Sequence, residues 1–485
     1  MESILHTIRN YFTNTSFHGF RFVGQPGRHW SERILWAVLC MLSWVGSAIL
    51  INASWYAFQN HAVSFMVETT YLKENSTFPA ISVCEDDNMG RIYEAAAVMF
   101  GEDHDCNLDE VLKEITFFKG TAYYIKEFCT SGDIECPLND YSSIAERVRS
   151  SCKDLFDTCF WMGKEIDCCK HFMPLNTELG TCFSFNQMNE RKLFKMNDPE
   201  AINTETNRKT GLPKLVINLK GATKVYLHSE NDVPFYNTMT TDTIVPVMNM
   251  VKNYSITVTD TENPAGVRDL TVHQRKCRFG DENYLKSADY YSYSACVVEC
   301  RRQEQLRHCN CTSHLMPKSD PAERCNITGL LCLNNNYVNL SVQKTPWGKK
   351  DGLICDCFPN CNEPEINTIT VLSDYIDDNV SSLEVAFFRF PSERFKRNVV
   401  RSHLDLVVSM GGAAGLFVGA SLLSFVEILY FFILRSKTEL DGEEEKKENT
   451  NKLKTLEIRA KPLPLQDRNT VITRNGYHTS SNYIS

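Results

Sequence analysis

Polar and apolar residues alternate over short distances along most of this chain, and two long stretches interrupt that texture. The first, Ile34 to Phe58 (ILWAVLCMLSWVGSAILINASWYAF), carries no charged residue. About 20 apolar residues span the hydrocarbon core of a bilayer, so this run predicts a membrane-crossing helix. It is too long, and begins too far along the chain, for a cleaved signal, and is expected to remain as an anchor. No polar face recurs at helical spacing, which argues against a helix buried in a soluble core. The second stretch, Leu404 to Leu434, is free of charge from Leu406 to Val426, with Asp405 and Glu427 near its ends. It is rich in glycine, alanine and serine, which membrane helices use for close packing.

Between these runs the pattern predicts both strands and helices. Thr77 to Cys84 (TFPAISVC), Lys214 to Leu219 (KLVINL), Lys224 to His228 (KVYLH) and Tyr254 to Asp260 (YSITVTD) read as strands, and Ser292 to Arg307 reads as a helix. The fold class expected is a membrane protein of α+β type, with two transmembrane helices flanking a large, disulfide-rich mixed α/β extracellular domain. The divisions are 1–33 (cytoplasmic), 34–58 (first transmembrane helix), 59–403 (extracellular), 404–434 (second transmembrane helix) and 435–485. The last segment is a polar cytoplasmic tail, expected to be disordered.

Charge sets the orientation. Arg9, Arg21, Arg28 and Arg33 precede the first run, and the next basic residue is Lys73. The positive-inside rule puts the N-terminus in the cytoplasm, so two crossings return the C-terminus there too. Arg435 and Lys437 agree. Arg389, Arg394, Lys396, Arg397 and Arg401, outside the second run, do not. The first helix takes precedence because long loops translocate regardless of charge. The net charge of −9, with acids and bases mixed, offers no surface for nucleic acid.

Cysteines support this topology. Of 20, only Cys40 lies outside residues 59–403. Such density belongs to an oxidising compartment, where thiols become staples. Sequons at Asn75, Asn253, Asn310, Asn326, Asn339 and Asn379 fall in the same segment and are expected to carry glycan. Asn52 is too near the membrane, and Asn14 is on the cytoplasmic side. Ten cysteines from Cys277 to Cys361 form C-x3-C, C-x-C and C-x-C-x3-C units. C-x3-C puts two sulfurs one turn apart on a helix face, and each can reach a separate cysteine of a returning C-x-C strand. The result is a ladder, stiff enough to carry a movement towards the membrane. Zinc is disfavoured outside the cell, and no metal is expected. A nucleophile elbow, H-E-x-x-H and a phosphate loop are all absent, so the chain is not expected to be an enzyme.

The ordered motifs make the chain resemble the degenerin, epithelial sodium channel and acid-sensing ion channel superfamily, most of all its insect pickpocket branch. They are His18-Gly19 before the first run, FPAISVC ending at Cys84, CFWMGKEIDCC, GTCFSFN around Cys182, the ten-cysteine block, and GGAAGLFVGASLLSFVE. The resemblance implies Cys84–Cys182, Cys159–Cys168, Cys277–Cys361, Cys296–Cys357, Cys300–Cys355, Cys309–Cys332 and Cys311–Cys325. Cys106, Cys129, Cys136, Cys152 and Cys169 fall outside that pattern, and Cys169 competes with Cys168 for Cys159. Five such residues cannot all pair within one chain, so one stays free or bridges subunits.

The resemblance also implies a trimer, as a homomer or with related subunits, since two helices per chain cannot enclose a water-filled path. Gly419, Ala420 and Ser421 match the selectivity filter, and a narrow ring there favours Na+, the permeant ion; no cofactor is implied. Gly411, Gly415 and Gly419 share a helix face, and Gly412 adjoins it. Glu427 either draws cations to the inner mouth or sits idle near Arg435. Val408, before Ser409, stands where many relatives have a small residue, and bulk there can hold such channels open. His18-Gly19 matches a gating motif. The tail lacks P-P-x-Y. The function implied is a subunit of a sodium-selective, amiloride-sensitive channel gated by an extracellular, sensory stimulus. A non-conducting accessory subunit or receptor is the alternative. Asp86, Asp87, Asp377 and Asp378 give no shared pocket from sequence, and the stimulus, ligand or mechanical, stays open.

Overall fold

The computed structural model describes residues 8–9, 11–69, 75–130, 136–137, 140–188, 202–377 and 379–435. The expectations for Lys73, Asp378, Lys437 and the tail beyond Arg435 lie outside these. The chain divides into two compact units, Tyr56–His403 and the pair of flanking segments up to Trp55 and from Leu404.

Tyr56–His403 is a mixed α/β unit. Its six-stranded sheet runs Glu365–Tyr375, Met250–Thr259, Ser381–Phe387, Lys214–Leu219, Phe156–Trp161, Lys164–Ile166. All neighbours are antiparallel except Met250–Thr259 with Ser381–Phe387. A five-stranded antiparallel sheet runs Thr243–Ile244, Ala222–His228, Ala80–Asp87, Gly180–Phe185, Met173–Thr177. In Lys214–Leu219 the inward positions Leu215, Ile217 and Leu219 are buried and the others are not, the period of 2 that a one-faced strand requires. These residues join Phe78, Ile81, Val83, Phe185, Val225, Leu383 and Val385 in one core.

The expected strand from Thr77 to Cys84 is divided. Ser76–Thr77 pairs with Glu205–Thr206, and a separate strand starts at Ala80. Pro79 has no N–H to give a ladder, so pairing stops before it and resumes after it. A three-stranded sheet, Val63–Glu68, Arg394–Val399, Thr261–Glu262, takes up Arg394, Lys396 and Arg397. Arg394 is held by Glu68 and Glu262, each at 2.6 Å.

Helices Met89–Phe100, Asn107–Thr116, Tyr123–Phe128, Tyr141–Val148 and Ile327–Asn335 build a second core around Ile92, Leu112, Ile115, Ile125 and Leu330. Helix Tyr293–Cys309 starts on a Ser292 cap, whose hydroxyl accepts the Ala295 N–H at 3.2 Å, and ends at Asn310 in the left-handed region. Arg301 on this helix is fully buried, bonded to the Glu178 carboxylate and the Asn237 side chain, with Nε donating to the Leu340 carbonyl at 2.8 Å.

Nine disulfides tie the unit together. Five belong to the ten-cysteine block: Cys277–Cys361, Cys296–Cys357, Cys300–Cys355, Cys309–Cys332 and Cys311–Cys325. Cys84–Cys182 and Cys159–Cys168 join strands and a short helix, while Cys129–Cys136 and Cys152–Cys169 engage four of the cysteines outside the family pattern. Cys106 is free and exposed. The segment holding Cys355 and Cys357 is irregular rather than the strand expected. A helix offers no free edge to pair with, so the disulfides and the packing of Cys357 beside Val297 and Val298 join the two.

Among the described residues, one helix, Trp30–Asn60, which starts in the other unit and runs past Trp55, is long and apolar enough to cross a membrane. Helices His403–Val418 and Leu422–Leu429 meet that test when taken together, bent by 67°.

Candidate functional site: the break at Gly419–Ser421

Each residue of Gly419-Ala420-Ser421 has a local job. Gly419 has φ +70°, a left-handed conformation that stops a right-handed helix and that glycine adopts without Cβ strain. Its N–H still reaches the Gly415 carbonyl at 3.0 Å, and the Ala420 N–H reaches back to Ala414 at 3.3 Å. Ser421 then starts the next helix. Its hydroxyl accepts the Ser424 N–H at 3.2 Å, and the Ser424 hydroxyl accepts the Ser421 N–H at 3.1 Å. This reciprocal cap satisfies donors that a helix start leaves unpaired. The triplet is thus a helix stop, a spacer and a helix start. The carbonyl end of His403–Val418, with its partial negative charge, faces the break. Tyr430–Arg435 continues as a π-helical turn.

The N-terminal segment packs on this break. The His18 N–H donates to the Val418 carbonyl at 3.0 Å, one of the acceptors that a helix end leaves open. A Cβ on Gly419 would come within 2.6 Å of the His18 ring. Gly19 has φ +84°, and a Cβ there would lie 2.5 Å from Cys40 Sγ. Space and backbone angle therefore both select glycine at positions 19 and 419. Ser16 donates its N–H to both Glu427 carboxylate oxygens, at 3.1 and 3.2 Å, and its hydroxyl lies 3.0 Å from Ser424 Oγ. Glu427 thus faces the N-terminal segment through Ser16. Tyr11, Phe17, Val418 and Phe431 form the small core beneath. Cys40 is buried, its Sγ 3.6 Å from the His18 carbonyl oxygen.

The glycine face expected from sequence is mostly open. A Cβ on Gly411 or Gly412 would meet nothing within 4 Å, and the atom nearest Gly415 is the Ala420 carbonyl oxygen at 3.9 Å. Val408 is 64% exposed. Ser409 is anchored to the first apolar helix, its Oγ 2.8 Å from Ser54 Oγ, and Gly46 of that helix lets the Phe417 ring approach closely. Ser16, Ser54 and Ser424 were not singled out by sequence reasoning. The S-x-x-S spacing of Ser421 and Ser424 was the one available signal.

Sequon positions differ in setting. Asn75, Asn310, Asn326, Asn339 and Asn379 are exposed. Asn253 lies in Met250–Thr259, paired on both sides, with its side-chain oxygen enclosed. Asp86 holds Lys119 at 2.7 Å and Lys224 at 3.0 Å, and Asp87 holds Lys113 at 2.8 Å, so these carboxylates serve as ion-pair partners. The paired lysines keep the Asp86 carboxyl below its usual range, against the opposing effect of burial.

The amiloride-sensitive sodium channel family matches residues 11–431, which covers the first apolar helix, the cysteine block and the break. The chain belongs to this family. Its members are ion channels of the plasma membrane, not enzymes, and assemble as oligomers with related subunits. Among similar proteins is Sodium channel protein Nach of Drosophila ananassae, 22% identical over 92% of this chain and 90% of that protein. Pickpocket protein 19 of Drosophila melanogaster is 23% identical over 87% and 89%. Acid-sensing ion channel 4-B of Danio rerio is 22% identical over 89% and 77%. These relatives agree with the pickpocket branch of the superfamily.

Proposed function

We propose that this chain is a subunit of a trimeric, sodium-selective, amiloride-sensitive cation channel gated by an extracellular stimulus, with Gly419-Ala420-Ser421 as its filter. The bent pair of helices around that triplet is read as the second membrane span, with both termini cytoplasmic. The observation that carries this reading is the capped break itself. A helix interrupted in mid-membrane is tolerated only where the backbone lines protein or a watery cavity. Here the interruption is built from the smallest residues, so carbonyls and a hydroxyl can approach a partly dehydrated ion. The unfilled face at Gly411 and Gly412 fits a helix that meets neighbouring subunits or water.

The test is expression in oocytes, alone and with related family subunits, with sodium replaced by potassium and with amiloride added. A sodium current blocked by amiloride and altered by Ser421→Ala supports the reading. No current under any combination overturns it and leaves an accessory, non-conducting role.

A further inference from the structure

Arg149 and His314 are each more than nine-tenths buried, and each keeps one ring or guanidinium nitrogen without a hydrogen-bond partner. Arg149 follows helix Tyr141–Val148. Its Nε and Nη2 donate to the Thr116 carbonyl at 3.1 and 2.9 Å, and Nη2 also donates to the Leu179 carbonyl at 2.6 Å. The guanidinium lies over the Phe117 ring and against Gly180, where a Cβ would come within 2.3 Å of it. Nη1 is left over. No carboxylate lies within salt-bridge distance of Arg149 among the described residues; the buried Glu85, which accepts from Asn88 Nδ2 and the Ser150 N–H, acts on it only through space. Burial lowers its pKa to about 10, which still leaves it charged.

His314 meets the Ile115 carbonyl through Nε2 at 2.7 Å. A carbonyl only accepts, so Nε2 carries the hydrogen and the unpartnered Nδ1 is a lone pair. Burial, reinforced by the charges of Arg149 and Arg324, holds the imidazole down at about 4, hence neutral. Both side chains line a cavity of about 230 Å³. Arg324 also lines it, with Nε on Ser319 Oγ at 3.2 Å and no ion pair among the described residues. Lys318, paired with Asp289, and one carboxylate, Glu146, complete its charged wall.

Two guanidinium groups without an ion pair, one of them buried, face a wall that carries a single carboxylate, Glu146, so positive charge is in excess there. We propose that this cavity binds a small inorganic anion between Arg149 and Arg324. A water occupies about 30 Å³ of liquid, so chloride or sulfate fits with a few waters beside it. The bound charge lies between the two cations and gives His314 a reason to take a proton at Nδ1, which then donates to the anion. The groups facing His314 are the two arginines, the Tyr141 ring at 5.6 Å and the Phe118 ring at 5.8 Å, with Glu146 and Lys318 in the cavity wall. Because the proton enters with the anion, binding tightens as pH falls.

The test uses the full-length protein in lipid nanodiscs, with sodium chloride or sodium sulfate replacing sodium gluconate at constant ionic strength. Thermal unfolding should show a saturable rise in Tm, with half-saturation at a lower concentration at pH 5.5 than at pH 7.5. Arg324 is half-buried, so Arg324→Gln should fold with the same disulfides and raise the half-saturating concentration by about tenfold, the effect of one charge-assisted hydrogen bond. Arg324→Lys should recover most of it. His314→Gln should remove the pH dependence. A rise that does not saturate, or that is unchanged in Arg324→Gln, is a bulk salt effect and overturns the site. PH dependence that persists in His314→Gln overturns the proton linkage.

Discussion

At Gly419–Ser421 two half-helices are held at 67° by one left-handed glycine, a pair of serine caps and a histidine N–H. In the cysteine block, by contrast, helix Tyr293–Cys309 is fastened by Cys296–Cys357, Cys300–Cys355 and Cys309–Cys332. The first region uses interactions worth about 1 kcal/mol each, which thermal energy and ligands can rearrange. The second uses covalent bonds that close long loops, worth about 2–4 kcal/mol each through the unfolded state. A gate needs alternatives of similar energy, and a strut needs none. On the function proposed above, the first region is the part that has to rearrange and the second the part that holds.

The largest expected effect is on the strut. Cys277→Ser with Cys361→Ser removes a link across 84 residues, and should cost about 4–5 kcal/mol, read as a fall in Tm of the full-length protein. Full stability in the double variant would show that the block is packed, not stapled. Next, Arg301→Leu leaves the Glu178 carboxylate buried and unpaired, at a cost of about 3–5 kcal/mol in the same assay.

At the break, Gly419→Ala forces a Cβ into the His18 ring and strains φ, so the sodium current proposed above should fall severely with little change in the nine disulfides. Ser421→Ala loses only a cap, about 1 kcal/mol, and should shift ion selectivity or open probability instead of abolishing current. Val408→Ala should change open probability as well, since the residue is exposed on the helix and its loss removes bulk without removing packing. Currents identical to wild type in both would separate the break from gating.

A pH effect of intermediate size belongs to the Tyr56–His403 unit. Burial, and then Asp232, push the Glu363 carboxyl up to about 8. Asp232 also accepts from Ser294 Oγ at 2.6 Å and Ser229 Oγ at 3.0 Å. The folded state therefore holds a proton that the unfolded state releases in the usual carboxylate range. Stability should decline as pH rises from that range to about 8 and then level off. Glu363→Gln should flatten the decline in a Tm-against-pH series. The smallest effect is expected at Cys106, exposed and unpaired, where Cys106→Ser should leave Tm unchanged.

How much was legible depended on distance along the chain. The two apolar runs, the alternation in Lys214–Leu219 and the cap at Ser292 are written in residues within a few positions of one another. Pro79 was also in plain view, and its effect on pairing overrode the apolar pattern around it. Ser16 with Glu427, separated by 411 positions, was not readable, because neither residue has a local preference for the other. The same holds for Arg301 with Glu178.

By itself, then, the sequence determined where apolar runs must leave water, that a helix begins at Ser292, and that so many cysteines require an oxidising compartment. Those are consequences of short-range sterics, hydrogen bonding and solubility. Only the tertiary structure decided that Cys152 takes Cys169 and leaves Cys106 free, that His18 lies against Gly419, and that Arg149 and His314 share a cavity. Each of those depends on which distant surfaces meet, and that is set by packing the whole core at once rather than by any local pattern.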